Sequence, residues 1–89
     1  MAYASKDLSV LAYANGFTLW HYTTADIATD VDTVGYFNGA ADMLRVGDII
    51  VANVGMGGTP GAGMVLVNAN ALGVVDVADM TQIGAVDTD

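Results

Sequence analysis

Apolar and polar positions change period several times along the chain, and each change marks an element. Directly after the turn pair Asn15-Gly16, Phe17, Leu19 and His21 alternate with Thr18, Trp20 and Tyr22. That alternation predicts a strand over residues 17–22 with bulk on both of its faces. A second strand is predicted at 49–54, where Ile49-Ile50-Val51-Ala52 lies between Gly47-Asp48 and a glycine cluster. A β-branched run bounded in this way is how a strand covered on both faces is written. Between the two, Phe37, Ala40, Ala41 and Leu44 recur at spacings of three and four. The spacing predicts one short, one-sided helix over about residues 36–45, and Gly47 is placed to take the left-handed conformation just beyond its end.

The remaining segments are weaker in pattern. Residues 2–16 mix Tyr3, Leu8, Val10, Leu11 and Tyr13 without a clean period, so residues 1–12 are expected as an extended N-terminal arm with a short strand near 8–12. Residues 23–34 form a polar Asp- and Thr-rich connection in which Asp30 or Thr33 is placed to cap the following helix. Residues 55–63 hold five of the eleven glycines and the single proline, the composition of a hairpin tip. Short strands at 64–68, 74–77 and 81–86 then return the chain to the same sheet. Five or six strands and one helix predict a mostly β fold, a small β-sandwich or barrel-like sheet formed by one domain over residues 1–89.

Composition changes this picture in one respect. The chain has 89 residues, 54% of them apolar, and no cysteine. A chain this small buries a core that supplies only a few kcal/mol of net stability, roughly 3–5 for the smallest domains, and with disulfides and cysteine-based zinc sites excluded the remaining staple is oligomerisation. The expected first partner is therefore the chain itself, as a homotrimer or another symmetric oligomer. A monomer of this size is not expected to cover both faces of the 17–22 strand, so Phe17, Trp20 and Tyr22, together with Tyr36, are the candidate interface anchors.

Charge excludes two classes of partner. Lys6 and Arg45 are set against ten aspartates, a net charge of −8. Phosphate binding needs basic side chains to release counterions, so neither nucleic acid nor an anionic membrane is an expected partner. No stretch approaches the roughly 20 apolar residues that cross a bilayer. Residues 8–14 faintly imitate a signal peptide, but Asp7 sits in front of them and only one lysine, Lys6, precedes them. The chain is expected to be soluble when made.

Candidate chemistry is sparse. Asp30-Val31-Asp32 begins like a calcium loop, yet Val34 stands at its fifth position and Ala41 at its twelfth, where oxygen ligands are required. His21 is the only histidine, and no nucleophile accompanies it. The glycine-rich run at 55–63 lacks the lysine of a phosphate loop and leads into a strand rather than a helix. Trp20, Tyr22 and Tyr36 have the composition of a carbohydrate-stacking platform, although aromatics flanking a β core are more often packing or interface residues. No catalytic, cofactor-binding or metal residue is assigned, and the chain is not expected to be an enzyme.

The segments Ser9-Val10-Leu11-Ala12-Tyr13, Phe17-Thr18-Leu19-Trp20-His21-Tyr22-Thr23-Thr24, Asp32-Thr33-Val34-Gly35-Tyr36-Phe37-Asn38, Leu44-Arg45-Val46-Gly47-Asp48-Ile49-Ile50 and the closing Gly73-Val74-Val75-Asp76-Val77 and Gly84–Asp89 together resemble a group of small proteins encoded by tailed bacteriophages and prophages, often beside capsid genes. The resemblance implies a virion structural protein without a cofactor, in the first place a head decoration or head-fibre protein. It implies as partners the chain itself and the major capsid protein or another virion protein. The expected location is the capsid surface, after synthesis in the host cytoplasm. The alternative is a tail or fibre-associated module that binds a host glycan or another virion protein.

Overall fold

The computed structural model describes residues 3–84. Residues 1–2 of the expected arm and the end of the expected 81–86 strand lie outside the described residues, as does most of the closing segment Gly84–Asp89. The chain is mostly β: β1 (Leu8–Ala14), β2 (Phe17–Thr23), β3 (Ile49–Val54), β4 (Gly61–Ala71), β5 (Val74–Val77) and β6 (Thr81–Ile83), with one α-helix, α1 (Ala28–Val31). All six strands form one mixed sheet in the order β1-β2-β3-β4-β5, with β6 beside β4. The sheet is single rather than two sheets stacked. β2 and β3 run parallel and every other pair is antiparallel.

Local chemistry accounts for the hairpins. Asn15 and Gly16 have φ of 56° and 76°, the pair of positive values that closes a two-residue hairpin with the twist of its strands. Leu72 and Gly73 repeat this at 56° and 79° between β4 and β5. β4 is long enough to carry two partners on one edge, β6 opposite Ala62–Met64 and β5 opposite Val67–Ala71. Ala78 N–H donates to Leu66 O at 2.8 Å between them, so β5 and β6 behave as one interrupted strand. Gly63 is required at the crossing: a Cβ there would overlap the side chain of Met80 and lie 2.7 Å from the Thr81 carbonyl oxygen.

A parallel β2–β3 pair needs a long crossover, and residues 24–48 supply it across one face of the sheet. The crossover buries Val31, Phe37, Ala40 and Leu44 against Trp20, Tyr22, Ile50, Ala52, Val54, Val65, Val67, Val75 and Val77. The α-helix lies at 28–31, not at the expected 36–45. The latter is a run of turns around a 3₁₀ turn, Asn38–Ala40. Its bonds are mostly three residues apart, Ala40 N–H to Phe37 O and Met43 N–H to Ala40 O among them. Gly35, with φ of 86°, and Gly39 disfavour a regular helix there, yet Phe37, Ala40 and Leu44 still face the core as their spacing requires.

The N-terminal stretch is bound to this body rather than extended from it. Tyr3 stacks on Tyr22 and meets Phe37 edge-on, both at 5.6 Å between ring centroids. A short 3₁₀ turn, Ser5–Asp7, then leads into β1, which pairs with β2 throughout and is bulged at Leu11.

Candidate interaction surfaces

The crossover covers only one face of the sheet, and strand alternation decides what the other face carries. Cross-strand partners there are Leu19, Ile49 and Leu66 in one row and His21, Val51, Met64 and Thr81 in the next. Thr23, Asn53, Ala62 and Ile83 form a third row. The first row is wholly apolar and the other two are mixed, with His21, Thr81, Thr23 and Asn53 among apolar neighbours; Met64, Leu66 and Ile83 on this face are 39%, 44% and 50% exposed. An open hollow of about 320 Å³ lies on it, lined by Ile49, Met64, Leu66, Ala78, Asp79 and Thr81. His21 Nε2 donates to Asn53 Oδ1 at 2.7 Å across the same face, a neighbour that cannot serve as a proton-relay acid.

Two polar clusters lie on the covered side. Asp48, 1% exposed, accepts three N–H groups. Thr18 N–H reaches Oδ1 at 3.2 Å, and Trp20 Nε1–H and Arg45 N–H each reach Oδ2 at 3.1 Å. One carboxylate thus ties the start of β2 to the turn that feeds β3. The second cluster is a chain of donors. Ala4 N–H donates to Tyr22 Oη at 3.1 Å, Tyr22 donates to Tyr36 Oη at 3.0 Å, and Tyr36 donates to Asp26 Oδ2 at 2.6 Å. Burial, then the bonds to Asp26 and Tyr22, push the Tyr36 hydroxyl well above the ordinary phenol range. Burial, then the neighbouring Tyr22, raises that of Tyr3. Asp26 Oδ1 and the Tyr3 hydroxyl are buried without a hydrogen-bond partner among the described residues. Both clusters hold elements together, Asp48 joining β2 to the turn before β3 and the tyrosine chain joining the N-terminal stretch to the crossover.

The four candidate anchors separate. Trp20 and Tyr22, 7% and 0% exposed, are core residues, because the crossover lies over the face they share. They do not anchor an interface, which corrects the expectation drawn from bulk alone. Tyr36 is half-buried in the same aromatic cluster, 5.0 Å from Phe37 and 6.1 Å from Tyr22. Phe17 alone lies on the open face, half-buried at its β2 end. With Trp20 and Tyr22 inside, the three aromatics form no stacking platform. The acid near α1 is dispersed: Asp26 is buried against Tyr36, Asp32 accepts Met80 N–H at 3.2 Å, and Asp30 faces solvent. Among the described residues, no three of His, Cys, Asp and Glu converge as metal ligands.

Sequence reasoning missed two features. Asp48 reads as a turn residue beside Gly47, and only the fold brings Thr18 and Trp20 to it. The second is β1, whose residues are exposed along nearly its whole length, Val10, Leu11 and Tyr13 at 56%, 56% and 61%. Its signal was in plain view, a stretch from Leu8 to Tyr22 without one Asp, Glu, Lys or Arg. Comparison with family models, with curated proteins and with solved structures finds no match to the chain.

Proposed function

We propose that this chain is a structural protein of a tailed-bacteriophage particle, a head decoration protein that coats or stabilises the head. In this reading it acts through symmetric contacts with its own copies and through contact with the major capsid protein or another virion protein. The observation that carries the reading is the open sheet face of an 89-residue chain, where Met64, Leu66 and Ile83 are exposed and Phe17, Leu19, Ile49 and Val51 are half-buried beside them. A contiguous apolar surface of this kind is what a permanent partner covers. The sequence resemblance to small proteins encoded by tailed bacteriophages and prophages, often beside capsid genes, suggests the kind of particle. The net charge of −8 directs contact toward apolar burial and backbone pairing rather than attraction between charges. The tail-module alternative draws less support, since a glycan platform would need Trp20 and Tyr22 at the surface.

Quantitative mass spectrometry of purified particles of the encoding phage tests the proposal. Copies in the hundreds per particle are expected of a decoration protein. A handful would place the chain in the tail, and absence from particles would overturn the reading.

A further inference from the structure

We propose that two copies of this chain join through β1, edge to edge and antiparallel about a twofold axis, so that their sheets become one. The inference rests on the reading of the chain as a self-associating subunit and not on where in a particle it resides.

β1 is the outer strand of the sheet on its side. Its outer edge presents unpaired backbone groups, which a further strand satisfies. In a two-residue hairpin the residues flanking the turn exchange hydrogen bonds, so alternation turns the N–H and C=O of Tyr13 away from β2. Natural edges are usually protected by lysine, proline or a covering loop. β1, Leu-Ser-Val-Leu-Ala-Tyr-Ala, has no charge and no proline. The crossover does not reach it either, since Val10 and Tyr13 pair with Trp20 and Thr18 on the crossover side and remain more than half exposed. The bulge at Leu11 is the one protective feature, and it interrupts β1 without charging it.

Charge selects the occupant. Two chains of −8 meet with least repulsion where neither brings unpaired carboxylates. The other side of the sheet ends on β5 and β6, with Asp76 and Asp79 on and between them. The β1 strand itself carries no charge, and at its start Asp7 is paired with Lys6 at 3.2 Å, so the surface that matches this edge with least repulsion is the same edge of a second copy. Antiparallel pairing makes the contact isologous, each strand supplying what the other lacks.

The test is sedimentation velocity of the full chain from 1 µM to 1 mM, roughly the range in which weak to moderate dimers dissociate, compared with Val10→Asp/Tyr13→Asp. Both positions are exposed in the single chain, and circular dichroism verifies that the variant folds. Carboxylates facing each other across the joint repel, so the dimer is expected to weaken at least about tenfold. Leu72→Asp/Val34→Asp adds the same charge at exposed positions away from β1 and is expected to leave the dimer within about threefold of the native chain. Hydrogen exchange of the native chain supplies a readout without substitution: the Tyr13 amide is expected to gain protection as the dimer forms. A native dimer that the β1 variant leaves intact, or a Tyr13 amide that stays unprotected in the dimer, overturns edge pairing while leaving self-association through the open face in place. A native chain that stays monomeric throughout overturns both.

Discussion

Replacing Asp48 should show how much of this fold depends on one buried carboxylate, and the choice of replacement makes the test specific. All three side-chain partners of Asp48 are donors, the N–H groups of Thr18, Trp20 and Arg45. Hydrogen bonds to a charged group contribute about 1.5–3 kcal/mol each, and a buried donor left without a partner costs about 1–3 kcal/mol. The three share one carboxylate and do not add, so Asp48→Ala should cost about 3–5 kcal/mol. The whole stability of a chain of this length is of order 5–13 kcal/mol. Asp48→Asn is the sharper variant. An amide keeps the shape but has one acceptor oxygen and turns two N–H groups toward the site, so whichever way it lies at least one native donor meets another donor. We expect it to cost about 2–4 kcal/mol, most of the alanine effect despite its near-identical size. Urea unfolding followed by the fluorescence of Trp20, the only tryptophan, reads the energy and the local environment together. An asparagine variant within about 0.5 kcal/mol of the native chain would show that shape and not acceptor count holds the junction.

Leu44→Ala should destabilise by about 2–5 kcal/mol through the cavity it leaves beneath the crossover, while Asp42→Ala, at an exposed position, should stay within about 0.5 kcal/mol; thermal melts separate them. Gly63→Ala should cost about 1–3 kcal/mol by overpacking against Met80 and Thr81, with hydrogen exchange accelerated at Thr81–Ile83 before the rest of the sheet. Leu72→Asn should stabilise by about 0.5–1 kcal/mol in chemical unfolding, because Leu72 is fully exposed at φ of 56°, a conformation that asparagine adopts more readily. The raised Tyr36 and Tyr3 hydroxyls mean that above pH of about 10 the unfolded chain gives up protons that the folded chain keeps. Their contribution is therefore complete below that pH and lost as pH rises beyond it. Stability should fall along this alkaline limb with a shallower slope in Tyr36→Phe, as read by urea unfolding at a series of pH values.

What was legible in the sequence was whatever depends on nearest neighbours. The Asn15-Gly16 turn, the strands expected at 17–22 and 49–54 and found at Phe17–Thr23 and Ile49–Val54, and the inward spacing of Phe37, Ala40 and Leu44 all follow from local pattern. The parallel pairing of β2 with β3 was not legible, because the crossover between them reads as a polar loop followed by a helical stripe. That pairing decides which face is covered. A strand with Trp20 and Tyr22 on one side and Phe17, Leu19 and His21 on the other gives no local indication of which side the crossover will take. Trp20 and Tyr22 looked like anchors for the same reason that they form the core: they are large, and one face had to be buried. The stripe at 36–45 predicted burial correctly and conformation incorrectly, since turns around Gly35 and Gly39 bring the same residues inward without a helix's hydrogen bonds.

The placement of acid connects the fold to assembly. Asp26 and Asp48 are inside, accepting hydrogen bonds that fix the crossover, and Asp76 and Asp79 stand at one side of the sheet. The β1 side is left neutral. A sheet with one neutral and one acidic edge would pair through the first and meet like charge at the second, so the proposed edge joining would close at two copies rather than propagate into a filament. The twofold axis of an antiparallel strand pair stands perpendicular to the sheet. It therefore carries the open face of one copy to the same side as the open face of the other. Edge pairing would not hide the apolar rows of Leu19, Ile49 and Leu66 and of Val51 and Met64 but double them, giving a dimer with crossovers on one side and a broad apolar platform on the other. In such an arrangement the edge sets copy number and the face is left for a different partner, which is the division of labour a subunit needs when it binds both its own kind and a particle surface.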